Sequence, residues 1–411
     1  MIVWCGPGVT VQADPVTLDV EALRADTPGC HSVVHLNNAG ASLPPRTVTE
    51  TVVDHLRREA MTGGYEAAAE AEVDGRLEAV YASIARLLRA DPADVAVLDN
   101  ATRAWQSVAY GVPLHRGDRI LVDRAQYSSS VLDLLRLADR HGASVEVVDD
   151  DQHGQVDVAD LHKRLDQGGV ALVSLTHVPT HGGLVNPVAD VGAATRAAGV
   201  PLLLDACQSA GQLDLDVGRL QCDALSATGR KYLRGPRGTG FLWVRPELRR
   251  RLEPPWPDLR GGSWTGTRSF ELRDDARVFE TWERNVAAVL GLGTAADYAT
   301  MVGVPEIEDR VRRLGAELRT LLADVPGVEV HDTGVRRCGI VTFSVAGVPA
   351  AEVRDDLRSR QINTSISDAA GSRWALADRG LPDLVRASVH AYTTEDELLV
   401  VRDALPPARV R

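Results

Sequence analysis

The chain has 411 residues, more than one hydrophobic core usually supports, and 44% of them are hydrophobic and 25% charged. That is the balance of a two-domain globular protein and not of a disordered or membrane-embedded one. A formal net charge of −12 argues against nucleic acid as a partner, because binding to it rests on neutralising phosphates with Lys and Arg.

The opening 15 residues, MIVWCGPGVTVQADP, have neither the basic start nor the apolar run of an export signal, so a cytoplasmic protein is expected. No apolar run approaches a membrane span. Leu77, Val80, Ile84 and Leu87 recur at helical spacing and read as a core-facing stripe. From residue 95 to 244, apolar strands (95–98, 120–122, 145–148, 170–175, 202–204 and 240–244) alternate with helical patterns. Such repetition builds a mostly parallel sheet covered by helices, with ligands at the C-terminal ends of the strands. After the first of these strands, Asn100-Ala101-Thr102-Arg103 opens a helix, whose free N–H groups favour an anion. Tyr127 stands among Gln126 and three serines in a chain with 4% aromatic residues, a setting that suggests a task beyond filling space.

Asp205 closes an apolar strand, and Lys231 follows in a small polar turn. Pyridoxal 5'-phosphate (PLP) needs such a pair: a lysine amine holds its aldehyde as a Schiff base, and a carboxylate keeps its ring nitrogen protonated. Arg249, Arg250 and Arg251 read as the solvated face of a short helix. The stretch 254–264, PPWPDLRGGSW, reads as a long loop leaving the large domain. A helical stretch at 286–299 then leads into a smaller α+β unit with strands at 328–330, 339–345 and 384–389 and a helix at 350–359. The five cysteines, Cys5, Cys30, Cys207, Cys222 and Cys338, lack disulfide-framework or metal-like spacing, so no metal site is expected. Cys338, in an apolar strand context, reads as a core thiol.

On these motifs the chain resembles the fold-type I PLP enzymes of the class V aminotransferase and cysteine desulfurase superfamily, from about His35 onward. The resemblance implies a large α/β domain at 46–285, a small α+β domain made of 35–45 and 286–411, and an N-terminal extension at 1–34. It implies that Lys231, in Thr228-Gly229-Arg230-Lys231, bonds the cofactor, with Thr228 and Arg230 beside the phosphate. Asp205 and Gln208 would meet the ring nitrogen and the phenolic oxygen. Thr102, with Ala101 and Arg103, would meet the phosphate, Tyr127 would stack on the ring, and Thr180 would lie beside the cofactor. Arg386, in VRASVH, would grip the substrate carboxylate, with Asn38, Ala39 and Gly40 on the substrate side. A homodimer with its active site at the two-fold interface is implied as well, the segment Trp282-Glu283-Arg284-Asn285 reaching across.

Desulfurases of this superfamily carry a nucleophilic cysteine shortly before the carboxylate-binding arginine, and here the interval from Ile362 to Ser388 contains none. The elements LNNAGASLPP, GGYEAA, HVPTHGGLVNP and FETWE are more similar to the branch holding hercynylcysteine sulfoxide lyase, isopenicillin-epimerase-like proteins and lincosamide-pathway enzymes. That branch implies a C–S β-lyase acting on an L-cysteine S-conjugate. It would release a thiol or sulfenate, pyruvate and ammonia, with Lys231 as the base and Tyr127 or His181 protonating the leaving sulfur. An aminotransferase or decarboxylating deaminase on a similar conjugate is the alternative; a desulfurase or an inert PLP-fold binding protein ranks lower.

Overall fold

A computed structural model describes residues 18–409. The first 17 positions, which include Cys5, the segment read for an export signal and half of the expected 1–34 extension, lie outside the described residues, as do the last two.

Strand β1 (Val34–His35) precedes a seven-stranded sheet. Its members are β2 (Val95–Leu98), β3 (Arg119–Val122), β4 (Ser144–Val147), β5 (Val170–Thr176), β6 (Leu202–Asp205), β7 (Ala224–Thr228) and β8 (Gly240–Val244). They lie in the order β2-β8-β7-β6-β5-β3-β4. Neighbours from β7 through β4 pair in parallel, while β8 runs antiparallel to both β7 and β2. Side chains alternate between the faces: Leu202 and Leu204 join one core cluster and Leu203 the other. Burial on both sides explains why these strands read as continuous apolar runs.

Strand β7 escapes that pattern. Its sequence, Ala-Leu-Ser-Ala-Thr, holds one large apolar residue, yet all five positions are buried. Its small side chains let the helix Ala101–Ala109 lie close against it. The same closeness recurs on β8, where a Cβ on Gly240 would stand 2.5 Å from the Asn100 carbonyl carbon. Helix start and lysine turn are thereby drawn together.

The helix Val286–Val302 is buried nearly all round and packs on the helices Arg46–Thr62 and Arg76–Leu88. Among the described residues no single helix is long and apolar enough to cross a membrane. Beyond the large sheet, the stretch read as a loop runs into an antiparallel hairpin of β9 (Gly262–Gly266) and β10 (Ser269–Leu272). No alternation of core residues marks this hairpin because both strands are solvent-facing.

A second sheet joins β11 (Val328–Val330), β12 (Ile340–Val345), β14 (Ser365–Ser367) and β15 (Leu384–Ser388) in the antiparallel order β11-β12-β15-β14. A short strand, β13 (Ile362–Asn363), pairs in parallel with β1, and Leu36 exchanges backbone hydrogen bonds with Asn363 and Ser388. We propose on these pairings that 35–45 belongs with the C-terminal unit.

Candidate active site

Strands β5, β6 and β7 end side by side at Thr176, Asp205 and Thr228. A cavity opens at this edge, lined by Lys231 and Asp205 together with Ala101, Thr102, Tyr127, Thr180, Gln208, Thr228 and Arg230. Nine of the sequence candidates thus converge although they lie up to 130 positions apart, from 101 to 231.

Lys231 is buried, and burial holds its amine below the ordinary lysine range, with the Arg230 and Arg386 guanidinia acting in the same direction. It makes no ion pair with Asp205. The backbone just after it is held close by Gly211, at φ +82°, where a Cβ would lie 2.6 Å from the Leu233 backbone. One signal in the sequence marks Lys231 more sharply than its turn does. The chain contains two lysines, and the other, Lys163, is exposed on the helix Val158–Asp166.

The Asp205 carboxylate accepts from the Cys207 amide at 2.8 Å and faces the cavity half-exposed. Register places Thr176 on one side of it and Ser226 on the other, and both hydroxyls are buried without a partner. Neither was singled out from the sequence, since a Thr and a Ser inside strands carry no motif. Gln208 donates from Nε2 to the Ala39 carbonyl (3.1 Å) and the Thr180 hydroxyl (3.2 Å), while its Oε1 is buried and unpartnered. Buried polar atoms are nearly always satisfied, so this group of orphaned atoms fits a polar ligand between them. PLP has a ring nitrogen that Asp205 could meet and a phenolic oxygen that Gln208 could meet. Its phosphate suits the helix start at 101, where Asn100 caps the Arg103 amide (2.9 Å) and the amides of Ala101 and Thr102 have no partner among the described residues.

Arg386, on β15, is 7% exposed and pairs with no carboxylate among the described residues. Its Nη1 donates to the Thr180 carbonyl (2.6 Å) and hydroxyl (2.9 Å), Nη2 to Asn37 (3.5 Å), and Nε is unpartnered. Burial pushes its pKa down to about 10, so it still carries its charge at neutral pH. An uncompensated buried cation is costly, and a substrate carboxylate would relieve it.

Other candidates fall elsewhere. Arg103 points out to solvent and stacks over Trp256 at 5.0 Å, away from the cavity, because a residue two positions into a helix has turned off the face that its first amides present. Asn38 is fully buried and spent on scaffold: Nδ2 donates to Ser388 O (2.7 Å) and His35 O (3.2 Å), and Oδ1 accepts from the Tyr392 hydroxyl. Ala39 donates to the Ser388 hydroxyl (2.9 Å), so it presents its carbonyl, not a side chain, to Gln208. The Gly40 carbonyl accepts from Arg230. His181 lines a neighbouring cavity beyond the 176–184 loop. Burial lowers its pKa to about 4, with Arg379 and Arg386 adding to the effect, so it holds no imidazolium proton to give at neutral pH.

Asp123, just past β3, was not anticipated. Burial raises its carboxyl to about 7 against its hydrogen bonds. It accepts from the Thr176 amide (3.1 Å), Asn186 Nδ2 (3.2 Å) and Gln126, tying the end of β5 in place.

Residues 34–401 match the family described as Aminotransferase class-V. A probable cysteine desulfurase of Xylella fastidiosa is 30% identical over 405 residues, covering 95% of each chain. One of Methanothermobacter thermautotrophicus is 26% identical over 396 residues, covering 95% of this chain and 98% of that protein. Among solved structures, an apo cysteine desulfurase from Thermococcus onnurineus NA1 superposes with a TM-score of 0.85 at 24% identity, covering 93% of this chain and 96% of that one. The cystine C-S lyase C-DES, solved with its product cysteine persulfide, gives 0.82 at 24% identity, covering 92% and 100%.

Proposed function

We propose, on the premise that this chain belongs to the aminotransferase class-V family, that it is a PLP-dependent C–S β-lyase acting on an L-cysteine S-conjugate. The products are a thiol or sulfenate, pyruvate and ammonia. When bound, PLP supplies an electron sink for the electrons released at the substrate α-carbon. Lys231 provides the amine that receives the α-proton, and its burial shifts that amine below the ordinary lysine range, toward the neutral form that acts as a base. Arg386 orients the substrate by its carboxylate, with Thr180 holding the guanidinium in place. Tyr127 is the proton donor to the leaving sulfur in this reading, since it lines the cavity while His181 does not.

The thiol chemistry carries the choice of reaction. A desulfurase takes sulfur onto a cysteine, and the nucleophile is the thiolate. Positions 362–388, which include the loop before Arg386, contain no cysteine. Cys222 and Cys338 are buried, with thiols pushed up to about 12 and about 11. Cys207, the thiol lining the cavity, is held protonated by burial and by the neighbouring Asp205. Sulfur is then best released with its own substituent. Desulfuration is the second reading, favoured by the names of the relatives. Incubation with S-alkyl-L-cysteines should yield pyruvate and thiol in equal amounts, with no build-up of the pyridoxamine form. Alanine from L-cysteine would establish desulfuration instead, and stoichiometric pyridoxamine phosphate would establish transamination.

The same reading includes a homodimer. Trp264 and Phe270 face each other across the β9–β10 hairpin at 78% and 64% exposure, and Trp282 stands exposed nearby in sequence. Large exposed aromatics of this kind suit an interface, and a second copy is the occupant the family implies. Arg284 and Asn285, by contrast, are engaged within their own subunit, on Tyr81 (3.0 Å) and the Ala288 amide (2.9 Å). Sedimentation of a fully active monomer would contradict the dimer.

A further inference from the structure

A second recess is lined by Asn37, whose Oδ1 accepts from Arg386 at 3.5 Å. It is lined by His35, Asn37, Arg354, Arg358, Asn363 and Thr364, so its charged groups are two arginines and it contains no acid. Arg354 and Arg358 stand one turn apart on the helix Ala350–Ser359 and share a face. A helix C-terminus attracts a cation by itself, but two features set this pair apart. The side chain of Arg358, an exposed residue, has neither a hydrogen bond nor an ion pair among the described residues, and that of Arg354 pairs only with its sequence neighbour Asp355, at 2.8 Å. The remaining wall is polar and neutral. His35 spends Nε2 on the Ala41 carbonyl (2.9 Å) and Nδ1 on Asn363 (3.1 Å), and Thr364 is buried with a hydroxyl that has no partner. In a chain of net charge −12, a recess lined by two guanidinium groups, one of them without a carboxylate partner, is a site for an anion.

Asn37 joins this recess to the substrate site, because it lines the one and accepts from Arg386 in the other. We propose that the recess receives a distal acidic group on the sulfur substituent. The substrate class is then an L-cysteine S-conjugate whose S-linked arm ends in a carboxylate or a similar anion. This rests on the lyase reading for the identity of the amino-acid part, while the charge preference comes from Arg354 and Arg358 alone.

The test is a titration of the holoenzyme, following the cofactor absorbance, with S-(carboxymethyl)-, S-(2-carboxyethyl)- and S-propyl-L-cysteine. Wild-type protein should half-saturate with at least one acidic conjugate at a concentration on the order of tenfold lower than with the neutral one, the scale of one charged hydrogen-bonded contact. Arg354→Ala/Arg358→Ala should remove that preference and leave S-propyl-L-cysteine binding unchanged, and Arg358→Lys should keep part of it. Equal binding in the wild type, a preference that survives the double substitution, or no spectral response to any conjugate would overturn the proposal. Pyruvate measured in the same samples separates the two readings. Pyruvate without a charge preference leaves the lyase standing and removes the acidic subsite; a charge preference without pyruvate does the reverse.

Discussion

Arg386 is the side chain whose surroundings argue most plainly for an absent partner, since its charge is buried against neutral oxygens only. Arg386→Ala is expected to weaken amino-acid binding by roughly 2–5 kcal/mol, the range for truncating one member of a buried charged pair, while PLP stays bound. Arg386→Lys should recover part of the loss, because an ammonium cannot reproduce the bidentate fork. Spectral titration with an unreactive amino acid measures both, and unchanged affinity in the alanine variant would remove Arg386 from the site. At this scale the sequence was legible where chemistry demands a particular residue type: Lys231 and Asp205 line one cleft, and Arg386 meets its wall at Thr180. It was misleading where a residue was included only because it neighbours a motif. Arg103 and Asn38 are one or two positions from backbone that matters, and their side chains leave in other directions. Thr176 and Ser226 were invisible for the opposite reason: only strand register places them beside Asp205.

Elements were legible in proportion to how much apolar surface they bury. Strands β5, β6 and β8 announce themselves as runs of large residues, whereas β7 is built from small ones so that a helix can approach it, and the β9–β10 hairpin buries too little to leave a pattern. What holds the segment after that hairpin is a buried carboxylate. Glu280, 1% exposed, accepts from Arg260 (2.7 Å), the Tyr81 hydroxyl (2.9 Å) and the Val97 amide (2.8 Å), with Arg284 at 3.6 Å. Glu280→Ala leaves two guanidinium groups and an edge-strand amide without their acceptor. It should cost roughly 3–5 kcal/mol, the range for breaking a buried pair by removing one partner. Urea unfolding checks this, and a loss under about 1 kcal/mol would mean that the cluster is effectively solvated.

The whole molecule carries a pH signature with a defined sign. His177 and His390 are held neutral by burial, with pKa near 3, and His181 near 4. In the unfolded chain these groups take up protons below about pH 6.5. The stability they confer is complete above that value and is lost as pH falls toward 3 or 4. Asp123 acts in the other direction, since a carboxyl that titrates near 7 in the fold and near 4 when unfolded favours the fold as protons are added. Among these four large shifts, three groups oppose one, each worth about 1.4 kcal/mol per pH unit inside its window, and the smaller downward shifts of His35 and His55 act with the three. The melting temperature should therefore fall between pH 7 and pH 5; a flat or rising profile would contradict the burial of these histidines. Two lysines in 411 residues also make the assignment of the cofactor to Lys231 open to a nearly binary measurement. Borohydride reduction of the PLP-loaded protein, followed by peptide mass mapping, should place the pyridoxyl group on the peptide containing Lys231, and Lys231→Arg should abolish the label while Lys163→Arg leaves it intact. A label on Lys163, or one that survives Lys231→Arg, would contradict the account.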